Sequence, residues 1–453
     1  MKIVIAGAGA VGTHLSKLLS TENHDCVLID DDEERLGSID SQYDIMALNA
    51  SPTSIKTLKD AGVGSADLFV GVTRYESRNI TACMLAHALG AKKTVARIDN
   101  YEYLSPQGLQ LFQNVGVDSL VYPEVLAAED IINGLKQSWV RQRIDVRGGA
   151  LMLLGIKLRE TCQILNQPLR DLCGPDDPYH IVAIKRNGET LIPGGLDQLQ
   201  LNDLAYFMTT EDYIPYIKKI VGKEDYEDVH NVIIMGGGKT AVRAALAMPD
   251  NIHLKIIDSD FDRCERLNEL IGGTNAMVIH GDGRDLGLLN EEGIKHTQAF
   301  VALTGNAETN ILACLTAKKL GVRKTVAMVE NLDYVSMAEG LDIGTIINKK
   351  TLAASHIFKM MMKADVRNMR SLMMADSEVA EFVAAEGSRI TKKAVKDVGL
   401  PSGIAIGGLV RGKKGMLVNG NTQIEAGDSV IIFCHRQALE KVEKFFKKTI
   451  VPW

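Results

Sequence analysis

Lys2-Ile3-Val4-Ile5-Ala6-Gly7-Ala8-Gly9-Ala10-Val11-Gly12 is a short β-branched run that passes directly into a Gly-x-Gly-x-x-Gly turn. At that spacing the first glycine permits a tight turn and the second lets backbone approach a pyrophosphate. The third lets a helix pack closely on the strand, with phosphates facing the helix N-terminus. The next β-rich run ends at Asp30, where an acid can bind the adenosine ribose hydroxyls. Asp31 and Asp32 beside it would repel a 2′-phosphate, which favours NAD(H) over NADP(H). A lone glycine fingerprint is weak, but strand, fingerprint, helix, strand and acid in this order predict a dinucleotide-binding unit. The competing reading is the same sheet with an empty pocket.

The stretch recurs. Gly236-Gly237-Gly238-Lys239-Thr240-Ala241 stands 236 − 7 = 229 residues after Gly7, and Ile256-Ile257-Asp258 answers Leu28-Ile29-Asp30. Val70-Gly71-Val72-Thr73 matches Val301-Ala302-Leu303-Thr304, and Asn79-Ile80 matches Asn310-Ile311. Ala82-Cys83 returns as Ala313-Cys314. Landmarks in unchanged order at a near-constant offset mean an internal duplication. A second pair follows the first: 192–208 (IPGGLDQLQLNDLAYFM) and 418–434 (VNGNTQIEAGDSVIIFC) share a glycine turn, an Asp (Asp203, Asp428) and an apolar strand.

The order is therefore large–small–large–small, with expected bounds 1–140, 141–222, 229–365 and 370–453. The large units alternate β-branched runs with helical stretches, the pattern of a doubly wound parallel α/β sheet. Strands are expected near 2–6, 25–30, 44–48, 67–72, 94–97 and 118–122, then near 231–235, 252–257, 276–280, 299–303 and 325–329. The small units are expected to be compact α+β modules. After each sheet comes a helix, at 122–128 and 348–354. On the second, Leu352, Ala353, His356, Ile357, Met360 and Met361 form an apolar stripe within a run ending at Met362. That stripe fits either its own sheet or a crossing to another sheet domain.

In open parallel sheets, ligands lie at the carboxyl ends of strands. This adds Ser51, Thr73, Arg74 and Arg97 to Gly7, Ala8, Gly9, Ala10, Val11, Gly12 and Asp30 in the first candidate site. In the second it adds Asp282, Thr304 and Gly305 to Gly236, Gly237, Gly238, Lys239, Thr240 and Asp258. There Ala241 replaces the last glycine, a tolerated change, and Lys239 adds a phosphate counter-charge. GGGKT is not a Walker loop, because Ile233 stands where that spacing demands glycine. Arg97 aligns with Met328, so the pockets are not chemically equivalent; a degenerate, purely structural second copy is the bland alternative.

Composition narrows the function. The chain has 453 residues, 46% hydrophobic and 24% charged, and Lys+Arg minus Asp+Glu is 51 − 57 = −6. A mildly acidic chain lacks the basic field of a nucleic-acid binder, which also disfavours a redox-sensing transcription factor. No apolar run approaches the ~18 residues of a membrane span, so a pore on this chain is excluded, and no secretion-signal layout precedes Lys2. Seven cysteines without Cys-x-x-Cys spacing argue against disulfides and structural zinc and favour a reducing cytoplasm. The ten histidines show no acid–base pattern, and units of ~75 residues after each sheet are scant for a substrate cleft. An NAD-dependent oxidoreductase is therefore the runner-up.

GAGAVG at 7–12, Asp30, VTRYESRN at 72–79, VARID at 95–99 and their second-copy partners closely resemble the TrkA family, peripheral regulatory subunits of bacterial potassium uptake built from tandem RCK (KTN) domains. The resemblance covers essentially the whole chain. It implies a homo-oligomeric ring, commonly a tetramer, on the cytoplasmic face of the membrane under a TrkH- or TrkG-type subunit. It also implies NAD(H) binding and, as in known members, ATP or ADP, with those ligands altering gating and no catalysis. The family pattern often has an acid after the third strand; Asp282 keeps it, whereas the first copy has Asn49-Ala50-Ser51. The two sites are thus expected to differ in ligand.

Overall fold

The computed structural model describes residues 1–20, 24–37, 43, 45–172, 177–361, 366–371, 377–401, 403–435 and 438–448. Met362, the last of the methionine run, and Cys173 lie outside them. Four sheets follow one another along the chain. The first contains β1 (Lys2–Ala6), β2 (Asp25–Asp30), β3 (Ile45–Asn49), β4 (Leu68–Gly71), β5 (Thr94–Arg97) and β6 (Ser119–Val121), all parallel, in the order β3-β2-β1-β4-β5-β6. Next come β7 (Gln142–Val146), β8 (Leu151–Lys157), β9 (Tyr179–Arg186), β10 (Glu189–Leu191) and β11 (Leu204–Thr209), an antiparallel sheet ordered β10-β9-β11-β8-β7.

The pair then repeats. A second parallel sheet has β12 (Asn231–Met235), β13 (His253–Asp258), β14 (Ala276–His280), β15 (Ala299–Ala302), β16 (Lys324–Met328) and β17 (Thr345–Ile347), ordered β14-β13-β12-β15-β16-β17. The last sheet has β18 (Val366–Ser371), β19 (Ser377–Val383), β20 (Ile404–Arg411), β21 (Lys414–Leu417) and β22 (Ser429–His435), ordered β18-β19-β22-β20-β21. The reversal of strand order between β1 and β4, and between β12 and β15, is the topological switch point of a Rossmann-type fold. β1 is central: Ile3, Val4, Ile5 and Ala6 are all fully buried, a continuous apolar run rather than an alternating one because helices cover both faces. The edge strands β3 and β14 are half exposed.

Duplication extends through the small sheets. Asp203 and Asp428, each almost fully buried, receive a two-pronged guanidinium from Arg186 (2.9 and 2.8 Å) and Arg411 (2.9 and 2.7 Å). In both modules the same carboxylate accepts a backbone N–H from three residues upstream, Gln200 or Glu425. The offsets, 428 − 203 and 411 − 186, are both 225. Each Asp anchors the turn into β11 or β22, and its hydrogen bonds and guanidinium satisfy a charge that burial alone would penalise.

The chain forms two compact units, Met1–Leu126 with Lys349–Met362, and Ala127–Asn348 with Lys363–Trp453. Helix Lys349–Met361 therefore belongs to the first unit, although its sequence follows the second sheet. It buries Ala353, Ala354, Ile357, Phe358 and Met361, and it packs against helix Ala10–Ser20. The crossing reading of the apolar stripe is the one realised. Lys93 Nζ donates to the Met360 carbonyl near this helix's end, and Lys349 pairs with Glu124 at 3.2 Å. The second unit uses the aligned lysine in the same way: Lys324 Nζ donates to the Val140 carbonyl, just beyond helix Pro123–Leu135.

Within the second unit the two antiparallel sheets share one apolar cluster, in which Leu151, Leu153 and Met208 meet Val379, Val410 and Phe433. Gly415 makes this approach possible, since a Cβ there would sit 1.9 Å from the Ala150 carbonyl oxygen. Gly415→Ala should therefore push β21 off the first small sheet at a cost of roughly 2 kcal/mol. Thermal unfolding of the full chain checks this, and an unchanged melting temperature would show that the sheets can separate freely.

Candidate functional site

Two crevices open at the two switch points. In the first, Gly7 has φ +116°, which only glycine adopts readily, and a Cβ there would lie 2.6 Å from the Thr73 nitrogen. A Cβ on Gly12 would lie 1.8 Å from the Gly7 carbonyl oxygen, so the helix starting at Ala10 can meet the turn only without one. Gly9 is different: nothing stands within 4 Å of its missing Cβ. Open space at this position is what a pyrophosphate cradle would require.

Asp30, 4% exposed, ties the turn together by accepting the Ala8 N–H at 2.6 Å and the Asp32 N–H at 2.9 Å. A cavity of about 340 Å³ beside it is lined by Asp30, Asp31, Asp32, Pro52, Thr73, Arg74 and Tyr75, together with Arg35 and Arg78. Ser51 lies next to Pro52 and hydrogen-bonds Thr53 at 3.0 Å. Arg78 pairs with Asp31, whose carboxyl it holds below the usual range, and Arg35 pairs with Asp32 at 3.0 Å. Arg35 also comes within 4.0 Å of Asp30, so the acidic excess predicted here is largely offset. Arg74 stacks on the Tyr75 ring at 4.6 Å at the cavity wall.

Arg97 does not reach the cavity. It donates to the Thr73 carbonyl at 3.2 Å and pairs with Asp99 at 3.2 Å. Its work is to brace the β4 end, together with a residue that the sequence showed only as a repeat landmark. Asn79, 1% exposed, accepts the Thr73 N–H (2.8 Å) and hydroxyl (2.6 Å) and donates to the Thr73 and Arg97 carbonyls. Asn310 repeats all of this with Thr304 and the Met328 carbonyl.

The second crevice, about 490 Å³, is lined by Gly236, Gly237, Gly238, Asp258, Asp282, Thr304 and Gly305, among others. Asp258 accepts the Gly237 N–H at 2.6 Å and the Asp260 N–H at 2.9 Å, the counterpart of Asp30. Burial opposes its ionisation, but these two N–H groups and the Arg263 guanidinium at 3.0 Å outweigh burial and hold the carboxyl below its ordinary range. Asp282 is held low by Arg284 at 2.7 Å. Lys239 and Thr240 occupy the first turn of helix Lys239–Leu246 and do not line the cavity. Gly238, like Gly9, has open space where a Cβ would be.

Among the described residues no group of His, Cys, Asp and Glu is fit to hold a metal ion, and no helix is long and apolar enough to cross a membrane. Burial pushes Cys83 and Cys314, the aligned helix cysteines, up to about 12, so neither is a nucleophile at neutral pH.

Two switch-point crevices, each on a Rossmann-type sheet followed by a small antiparallel module, define a tandem protein of the RCK fold class. The TrkA-N domain model matches residues 3–123 and 232–349, the TrkA-C domain model matches 379–447, and the chain belongs to the TrkA family. The Trk system potassium uptake protein TrkA of Azorhizobium caulinodans is 29% identical, with 99% of both chains covered. A Trk system potassium uptake protein TrkA homolog from Archaeoglobus fulgidus is 30% identical, covering 99% of this chain and 100% of its own. Among solved structures the GsuK RCK domain aligns with a TM-score of 0.61 at 15% identity, covering 98% of this chain and 94% of that one. The GsuK channel bound to NAD aligns at 0.61 and 14%, covering 98% and 78%.

Proposed function

We propose that this chain is a nucleotide-sensing regulatory subunit of a potassium uptake system. It takes NAD(H) in the crevice of Gly7–Gly12 and Asp30, and an adenine nucleotide, ATP or ADP, in that of Gly236–Gly238, Asp258 and Asp282. The observation that carries this reading is the duplicated acid-to-turn hydrogen bond, Asp30 to Ala8 and Asp258 to Gly237. It pre-forms two ribose-binding carboxylates beside open glycine turns without catalytic equipment. The names of the full-length relatives support potassium uptake, and the NAD-bound relative of the same fold supports the dinucleotide.

In this reading the chain assembles as a ring, a tetramer of copies, on the cytoplasmic side of a TrkH- or TrkG-type membrane subunit. A ligand shifts the gate only by binding one ring conformation better than another. Isothermal titration of the full chain with NADH, NAD, ATP and ADP is the test. Saturable binding is expected, weakened at one site by Asp30→Asn and at the other by Asp258→Asn. Binding of none of the four would end the proposal.

A further inference from the structure

A third cavity, of about 230 Å³, lies in the second unit, shares no lining residue with either crevice, and is lined by seven cationic side chains. Three of them, Arg141, Arg159 and Lys318, converge on a single carboxylate, Asp342, with Arg141 at 2.7 Å and Lys318 at 3.0 Å. Among the described residues the other four have no carboxylate of their own. Lys324, 2% exposed, donates to the Val140 carbonyl and the Thr345 hydroxyl. Arg323 donates to the Asp225 carbonyl and, with Lys223, covers the Tyr226 ring at 4.9 and 5.0 Å. Among the described residues Lys157 makes no ion pair, because Asp203, the other carboxylate close to it, is committed to Arg186.

Burial and the Arg159 and Arg141 guanidiniums push Lys223 down to about 8, and burial and Arg141 push Lys324 down to about 7. Like charges gathered this closely in a partly desolvated cavity repel one another by more than one aspartate offsets. A multivalent anion is what the chemistry lacks.

We propose that this cavity binds a small phosphorylated anion of pyrophosphate size, at a site separate from both nucleotide crevices. Its volume falls below the ~300 Å³ at which pockets for whole small-molecule ligands begin, so it fits one or two phosphoryl groups rather than an entire nucleotide. Lys157, Lys223 and Arg323, which have no carboxylate partner among the described residues, are the side chains that would meet such a ligand. Arg141 and Arg159 set the field. An anion there favours the charged form of the lysines it meets. The inference does not depend on what occupies the crevices.

The test is isothermal titration of the full chain with sodium pyrophosphate at pH 8. Saturable binding is expected, at least tenfold weaker in Lys157→Gln/Lys223→Gln. Gly12→Ala, in the first crevice, should leave it unchanged. Removing cations from a cluster with excess positive charge should also leave the melting temperature of the ligand-free double variant equal or higher. Were the double variant to unfold, exposed Arg323→Gln supplies the same comparison. Displacement of pyrophosphate by ADP in the wild type but not by adenosine would support the site and name a nucleotide's phosphate tail as the source. No saturable pyrophosphate binding, or binding indifferent to Lys157, Lys223 and Arg323, would overturn the proposal.

Discussion

Replacing Gly12 by alanine is expected to weaken NADH binding by about 100-fold and to destabilise the first unit. The added Cβ would lie 1.8 Å from the Gly7 carbonyl oxygen and 3.2 Å from Val72 Cγ2. The first of these is backbone and cannot rotate away, so the helix Ala10–Ser20 must slide off the turn that it caps. Overpacking of this kind costs roughly 1–3 kcal/mol of stability. The same displacement misaligns the N–H groups that face a bound phosphate, and a hundredfold loss corresponds to about 2.7 kcal/mol of binding. Gly9→Ala separates the two effects, because its Cβ meets nothing within 4 Å. It should leave the melting temperature unchanged yet weaken NADH, its methyl group occupying the ligand's own approach. Titration and thermal unfolding of both variants check this, and equal affinity in wild type, Gly9→Ala and Gly12→Ala would remove the glycine turn from the site.

These residues were legible in the sequence because their roles are local. A glycine fingerprint, the strand before it and the acid about twenty residues on are fixed by the geometry of one β-α-β unit, so spacing alone identifies Gly7, Gly12 and Asp30. The register of the repeat likewise located Asp258, and the strand-end rule placed Asp282. Other roles depend on which way a side chain turns. Asn79 and Asn310 stood out as repeated residues, yet their use as clamps on the Thr73 and Thr304 backbone shows only once helix and strand are packed. Arg97 sits at a strand end, as expected, but is consumed by Thr73 and Asp99 instead of facing the crevice. Arg35, Arg78 and Arg263 lie on helices after or beside the acids, and nothing in their spacing announces that they balance Asp32, Asp31 and Asp258. The basic cavity is the extreme case. It draws on residues near 140, 158, 224, 320 and 342, five segments that no linear pattern connects.

Asp342→Asn should expose the strain held in that cavity. Among the described residues the aspartate alone pairs with Arg141, Arg159 and Lys318, and it is held below the usual carboxylate range. Burial works against its charge, and the Arg141 field, the Lys318 hydrogen bond and Arg159 overcome it. Breaking a fully buried pair costs about 3–5 kcal/mol, and the 33% exposure of this side chain reduces the expectation to about 2 kcal/mol. The melting temperature of the second unit should fall by about 4 °C at neutral pH. The sign with pH follows from the depressed carboxyl. Its contribution is complete above the unfolded value near 4 and is lost as pH falls through the lower folded value, so wild type and variant should converge in acid. The substitution also raises the net positive charge of the cavity by one. Pyrophosphate should therefore restore more melting temperature to Asp342→Asn than it adds to the wild type, since the anion takes over the work of the missing carboxylate. A variant that melts like the wild type at neutral pH would mean that the cationic cluster is relaxed by solvent and that Asp342 is an ordinary surface acid.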